Sequence, residues 1–159
     1  MHVMNGFEFC ENLKTKPETS HIPIIMLTAK SSDESELEGL KLGADSYIRK
    51  PFKIEFLKTK LINIINEREN LRKRFNRKII LQPNEVTVTS VDEKFLQQAI
   101  AIVEKHMSNT DFNVETLVQE MNFSRSNIYM KFKELTGFSS SEFIRNIRLK
   151  RAMQLLQSS

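Results

Sequence analysis

The chain has 159 residues, with 24 lysines and arginines against 20 acids and a formal net charge of +4. That length holds one domain or two short ones, and 40% apolar with 28% charged residues and few glycines or prolines suits helix-rich folded material. A lone Cys10 excludes a disulfide framework and fits a reducing compartment; no apolar run reaches membrane-spanning length, and no signal peptide opens the chain.

In chain order, His21-Ile22-Pro23-Ile24-Ile25-Met26-Leu27-Thr28-Ala29 is a short apolar run that fits a buried parallel strand. Ser31 and Glu34 then cap a helix containing Leu37, Leu40 and Leu42, which Gly43 closes. Tyr47-Ile48 is a second short strand, ended by Lys50-Pro51, and Leu57, Leu61, Ile64 and Ile65 mark another helix. Strand, helix, strand, helix predicts an α/β unit.

Leu57, Leu61, Ile64, Arg68, Leu71 and Phe75 follow the a/d rhythm of a coiled-coil seam, with Arg68 as the intruder. Glu67, Arg68, Glu69, Arg72, Lys73 and Arg74 give this helix a charged exterior. Two readings fit: dimer contact through the helix, or a helix extending into solvent with incidental periodicity. Arg77 to Ser90 reads as extended, with a turn at Pro83-Asn84 and a short strand at Val86-Thr87-Val88-Thr89. Val91 opens a helix whose Phe95, Ile100, Ile102 and Val103 would pack beneath the next two helices.

From Asn113 to Gly137 the spacing predicts two short helices joined by a tight turn. Val114, Leu117, Val118 and Met121 build one apolar stripe behind an Asn113 cap. The turn is Asn122-Phe123-Ser124, with Ser124 as the next cap; Ile128, Phe132 and Leu135 repeat at helical spacing before Gly137. The polar face shows Arg125, Ser126, Asn127, Tyr129, Met130 and Lys133, donors and acceptors of the kind that meet base edges in a major groove. An ordinary helical hairpin with a solvated face fits these residues equally. The basic run Arg125, Lys131, Lys133, Arg145, Arg148, Lys150 and Arg151, against Glu134 and Glu142, tips the balance toward phosphate binding. Ser139 and Glu142 form a capping box for a last helix, expected to turn Phe143, Ile144, Ile147, Leu149, Ala152, Met153, Leu155 and Leu156 inward.

The stretch Ser124 to Gly137, followed by Phe143-Ile144-Arg145 and Arg148-Leu149-Lys150-Arg151-Ala152, resembles the first half of an AraC-type DNA-binding domain, over about Val91 to Leu156. That resemblance implies two helix-turn-helix units joined by a long helix, of which 139–157 would be the joining helix and the second unit would be missing. It also implies that Arg125, Ser126, Asn127 and Tyr129 face bases, with Lys133 and Arg145 on phosphates. Met130 stands where relatives often carry a basic or polar group.

Residues Met1 to Asn66 resemble the C-terminal half of a response-regulator receiver domain. Met4-Asn5-Gly6-Phe7-Glu8 looks like the loop after the phospho-acceptor strand, and His2 replaces a usual proline. Thr28 matches the hydroxyl residue that contacts the phosphoryl group, Tyr47 the switch aromatic, and Lys50-Pro51-Phe52 the phosphoryl-pairing lysine before a cis-type proline. The acceptor aspartate and the acidic magnesium pair would precede this chain, since Asp33, Asp45, Asp92 and Asp111 stand in the wrong contexts. No phosphoryl transfer, and no magnesium outside a complete receiver, is therefore expected, and Thr28 and Lys50 would end a strand and meet solvent.

The expectation is a mixed fold: a partial α/β, flavodoxin-like receiver fragment (1–66), a helical and extended linker (67–90), then an all-α helix-turn-helix domain (91–159). The resemblances imply a cytoplasmic transcription regulator of a two-component phosphorelay, hybrid or free-standing. Double-stranded DNA, a second copy of the chain, and a histidine kinase domain in the full-length protein would be its partners. A non-catalytic self-association module is the alternative. His2, His21 and His106 read as surface or cap residues without metal-ligand spacing, and the seven methionines as core filler. No glycine-rich phosphate loop is present.

Overall fold

The computed structural model describes residues 4–29, 33–77 and 89–157. They fall into two compact units that meet in sequence at Glu69 and Asn70. The predicted Ser31 cap, His2, the Pro83-Asn84 turn and the Val86–Val88 strand lie outside the described residues.

The first unit opens with α1 (Gly6–Thr15), so the stretch expected to be a loop is instead a helix cap and first turn. Asn5 Oδ1 accepts from the Phe7 and Glu8 amides at 2.9 and 3.0 Å, and Glu8 accepts from the Asn5 amide at 3.1 Å. This reciprocal box satisfies donors that would otherwise be orphaned. Next come β1 (Ile25–Thr28), α2 (Asp33–Lys41) and β2 (Ser46–Arg49). The strands pair in parallel, Ile25 with Ser46 through Thr28 with Arg49, as the α/β reading expected. β1 is not the buried strand predicted: Leu27 is 43% exposed and its neighbours are half-buried. The sheet has two strands among the described residues. α2 turns Leu37 and Leu40 outward and packs through Gly39, where a Cβ would lie 3.1 Å from Met26 Sδ and from the Tyr47 ring.

A buried polar cluster ties the elements of this unit together. Asp45 Oδ2 receives Lys14 Nζ at 2.7 Å and the Ile24 amide at 2.8 Å, while Oδ1 receives Arg68 at 2.9 Å. Lys14 also donates to the Ile22 carbonyl, and Arg68 to the carbonyl of His21. His21 is a buried residue, where a surface or cap histidine was expected. Cys10 is buried against the Leu42 carbonyl, and burial raises its thiol above the ordinary value.

The helix carrying the a/d stripe, α3 (Ile54–Arg77), ends in the second unit. Its rhythm is used within the chain: Arg68 clamps Asp45, and Phe75, 1% exposed, packs on Phe138 and stacks on Phe143. Those two positions are closed to a partner helix, while Leu61 stays exposed.

Four further helices build the second unit: α4 (Ser90–Lys105), α5 (Val114–Met121), α6 (Arg125–Thr136) and α7 (Ser140–Gln157). Its core joins Phe95, Leu96, Ala99, Ile102 and Val103 of α4 to Leu117 and Met121 of α5, and to Ile128, Phe132 and Leu135 of α6. Phe143, Ile144 and Ile147 of α7 complete it, with the Phe132 and Phe143 rings stacked at 4.1 Å. The rest of α7 departs from expectation. Leu149, Ala152, Met153, Leu155 and Leu156 are exposed, because they fall off the stripe that Phe143 and Ile147 define.

Candidate nucleic-acid interface

The α5–α6 pair is shaped by four local devices at residues the sequence marked. Asn113 Oδ1 accepts from the Thr116 amide at 3.1 Å, and Ser124 Oγ accepts from the Asn127 amide at 3.2 Å. Between them Asn122 adopts the left-handed conformation (φ 56°), which asparagine tolerates better than most residues and which lets the chain reverse within a few residues. Gly137 (φ 80°) ends α6, where a side chain would be strained.

This geometry turns one face of α6 outward. Arg125, Ser126, Tyr129, Met130 and Lys133 are exposed and Asn127 is half-buried. A cleft of about 510 Å³ runs between Arg125, Ser126, Tyr129 and Met130 and the serines that open α7. Arg145 is exposed on α7. The Glu142 carboxyl is held below the usual carboxylate range, first by the Ser139 amide, then by the Ser139 hydroxyl and the charges of Lys133 and Arg145. The Ser139–Glu142 capping box is present, with Ser139 N–H to Glu142 Oε2 at 2.7 Å.

The basic footprint is smaller than its residue list. Lys131 is fully buried, its Nζ 2.8 Å from Asp92 Oδ1 and 5.0 Å from the Phe95 ring centre. Lys150 is also buried, donating to the Phe75 carbonyl at 2.5 Å; desolvation lowers its pKa to about 8. Arg148 donates to the carbonyls of His106 and Asn109. His106 caps α4, as a cap reading allows, and its Nε2 lies 2.5 Å from Glu120. Arg125, Lys133, Arg145 and Arg151 are the footprint's exposed cations.

In the first unit, Thr28 is the last residue of β1, and its carbonyl accepts the Lys50 amide at 2.7 Å. Lys50 is exposed, the Lys50–Pro51 bond is cis, and Tyr47 is buried over Gly39. Asp45 and Asp92 are internal ion-pair partners. No group of three or more metal-ligating side chains occurs among the described residues.

Residues 1–62 match the family model of the response regulator receiver domain. Residues 1–62, most of the first unit, are a receiver segment. Along 158 residues, 99% of the chain, it is 42% identical to histidine kinase P4 of Formosa agariphila, and covers 12% of that protein. It is 47% identical over 49 residues to the phosphate regulon transcriptional regulatory protein PhoB of Rhizobium meliloti, covering 31% of this chain and 22% of that one. It is 31% identical over 139 residues to the probable transcriptional regulator ycf29 of Cyanophora paradoxa, covering 73% and 66%. The chain therefore spans less than two thirds of these relatives' lengths, and about an eighth of the kinase. No solved structure matches it. In the receiver segment Thr28 and Lys50 share one end of the strand pair, joined through backbone. No helix among the described residues is long and apolar enough to cross a membrane.

The buried cations were missed because lysine and arginine are read as surface residues by default. Their helical positions carried the missing signal: Lys131 falls on the Ile128–Phe132–Leu135 stripe, and Lys150 follows Phe143 and Ile147 on theirs.

Proposed function

We propose that this chain is part of a two-component transcription regulator, in which the receiver segment precedes the first reading unit and joining helix of an AraC-type DNA-binding domain. The supporting observation is the α5–turn–α6 pair with its outward face of Arg125, Ser126, Tyr129, Met130 and Lys133. α6 would enter a major groove; Arg125, Ser126, Asn127 and Tyr129 would meet bases, Met130 would offer an apolar contact, and Lys133 and Arg145 would meet phosphates. A histidine kinase domain would supply the signal, a second copy the other half-site, and the cytoplasm the setting. No catalytic step and no magnesium is assigned to this chain.

Lys133→Ala is expected to weaken binding to all duplexes alike and to reduce the slope of log affinity against log salt by about 0.9, the share of one phosphate contact. Gel shifts at several salt concentrations measure this. An unchanged slope and affinity would remove Lys133, and with it this docking, from the interface.

The second reading, a self-association module, is favoured by the apolar surface of the receiver segment. Phe9, Leu27, Leu37, Ile62 and Ile65 are each 43–56% exposed. Exposed apolar side chains mark an interaction surface where they adjoin one another. On that reading the full chain sediments as a dimer or larger at tens of micromolar; a monomer throughout a concentration series argues against it.

A further inference from the structure

α6 begins with a cation, opposite to the sense of its dipole. Helix starts favour acids, yet the first turn of α6 contains none and its first residue is Arg125. The neutralising charge comes from the neighbouring helix. Glu115, in the first turn of α5, places Oε1 2.9 Å from Arg125 Nη1. Both side chains are largely exposed, at 74% and 56%, so the pair adds little to stability. Its bearing is directional: in this contact the guanidinium lies beside the cleft that Arg125 shares with Ser126 and Tyr129. A guanidinium has five donors in a rigid fork, so Nη1 engaged with Glu115 leaves an edge for a second pair of acceptors.

We propose that Glu115 is a positioning residue that sets specificity: it holds Arg125 so that the free edge of the guanidinium takes guanine O6 and N7, and disfavours Arg125 on phosphate. The inference rests on the DNA-binding reading above. Guanine presents two adjacent acceptors in the major groove and can bind while the Glu115 contact persists. A phosphate must displace Glu115, or share Arg125 with it against like-charge repulsion. The pair therefore favours base edge over backbone.

Selection of duplexes from a random pool by the full chain, by Glu115→Ala and by Arg125→Ala tests this, with gel shifts on a non-selected duplex across salt. The native chain is expected to enrich guanine at one position by about tenfold, the worth of one bidentate contact. Both variants should lose that enrichment. Only Glu115→Ala should bind the non-selected duplex more tightly, its salt slope steeper by about 0.9 as Arg125 takes a phosphate. Glu115→Gln, which keeps an acceptor without charge, should retain part of the guanine preference. A merely structural role for Glu115 would not move specific and non-specific binding in opposite directions. Unaltered base preference in Glu115→Ala overturns this inference and leaves the DNA-binding reading standing; a native chain that binds no duplex overturns both.

Discussion

Asp92→Ala is expected to destabilise the second unit by about 3–5 kcal/mol, the cost of removing one member of a buried ion pair. Asp92 and Lys131 pair at 2.8 Å with both side chains wholly out of solvent. Asp92 stands in the first turn of α4, where the helix dipole adds to its stabilisation, and its amide donates to the Thr89 cap at 3.1 Å. Lys131 lies on the inner face of α6, its Nζ 5.0 Å above the Phe95 ring. Removing the carboxylate takes the counter-charge from an ammonium that is wholly out of solvent, and the desolvation cost that the pair offsets is then exposed.

The paired replacement Asp92→Leu with Lys131→Met is expected to behave differently, recovering most of the loss, because it removes both desolvation costs together. Free energies of opening from hydrogen exchange at the amides of α4 to α7 measure both variants. A single-variant loss below about 1 kcal/mol would show that the pair is poorly shielded in solution. The pair joins α6 to α4, so breaking it reaches the proposed reading face. The single variant should also weaken DNA binding by loosening the helix that carries that face, whereas the double variant should bind as the native chain does.

Helices, caps and the α5–α6 turn were legible because each rests on local chemistry. Asn113, Ser124, Ser139 and Gly137 do what their side chains and backbones favour next to an apolar stripe. Tertiary facts were harder. Arg68 looked like a flaw in a coiled-coil seam, yet it is the donor that binds Asp45 and the His21 carbonyl. Lys14, Lys131 and Lys150 are buried in the same way. Lys14 follows Cys10 by one turn, and both face inward on α1. In each case the position on the stripe, rather than the residue type, marked the inner face. The converse error concerns α7, where leucines off the stripe were expected inside and Leu149 and Leu156 lie in solvent. Asn5 and Glu8 formed a capping box in plain view, hidden by treating their segment as a loop. The proposed reading face was legible as a surface, but the Glu115–Arg125 contact was not, since it joins two helices across a turn.

Asp45→Asn is expected to open the receiver segment by a comparable amount, about 3–5 kcal/mol at neutral pH, with a pH dependence that identifies the cause. Asp45 collects Lys14, Arg68 and the Ile24 amide, and so links α1, the start of β2, α3 and the approach to β1. Burial alone would raise its carboxyl. The hydrogen bond from Lys14, the Ile24 amide, the charge of Lys14 and the bond from Arg68 outweigh that, and the group titrates below the ordinary carboxylate range. A carboxyl whose folded value lies below its unfolded value, roughly 3.9, stabilises fully above the unfolded value and loses this contribution as pH falls through the folded one. The gap between the native chain and Asp45→Asn should therefore stay level from pH 7 to about 5 and shrink below about 4. Amide exchange at β1 and β2, or urea unfolding followed at those strands, reads the gap. The asparagine fills the same space and can still accept from Ile24, so packing is not the variable. A difference that persists unchanged into acid would assign the loss to geometry and remove charge as the agent that holds this unit.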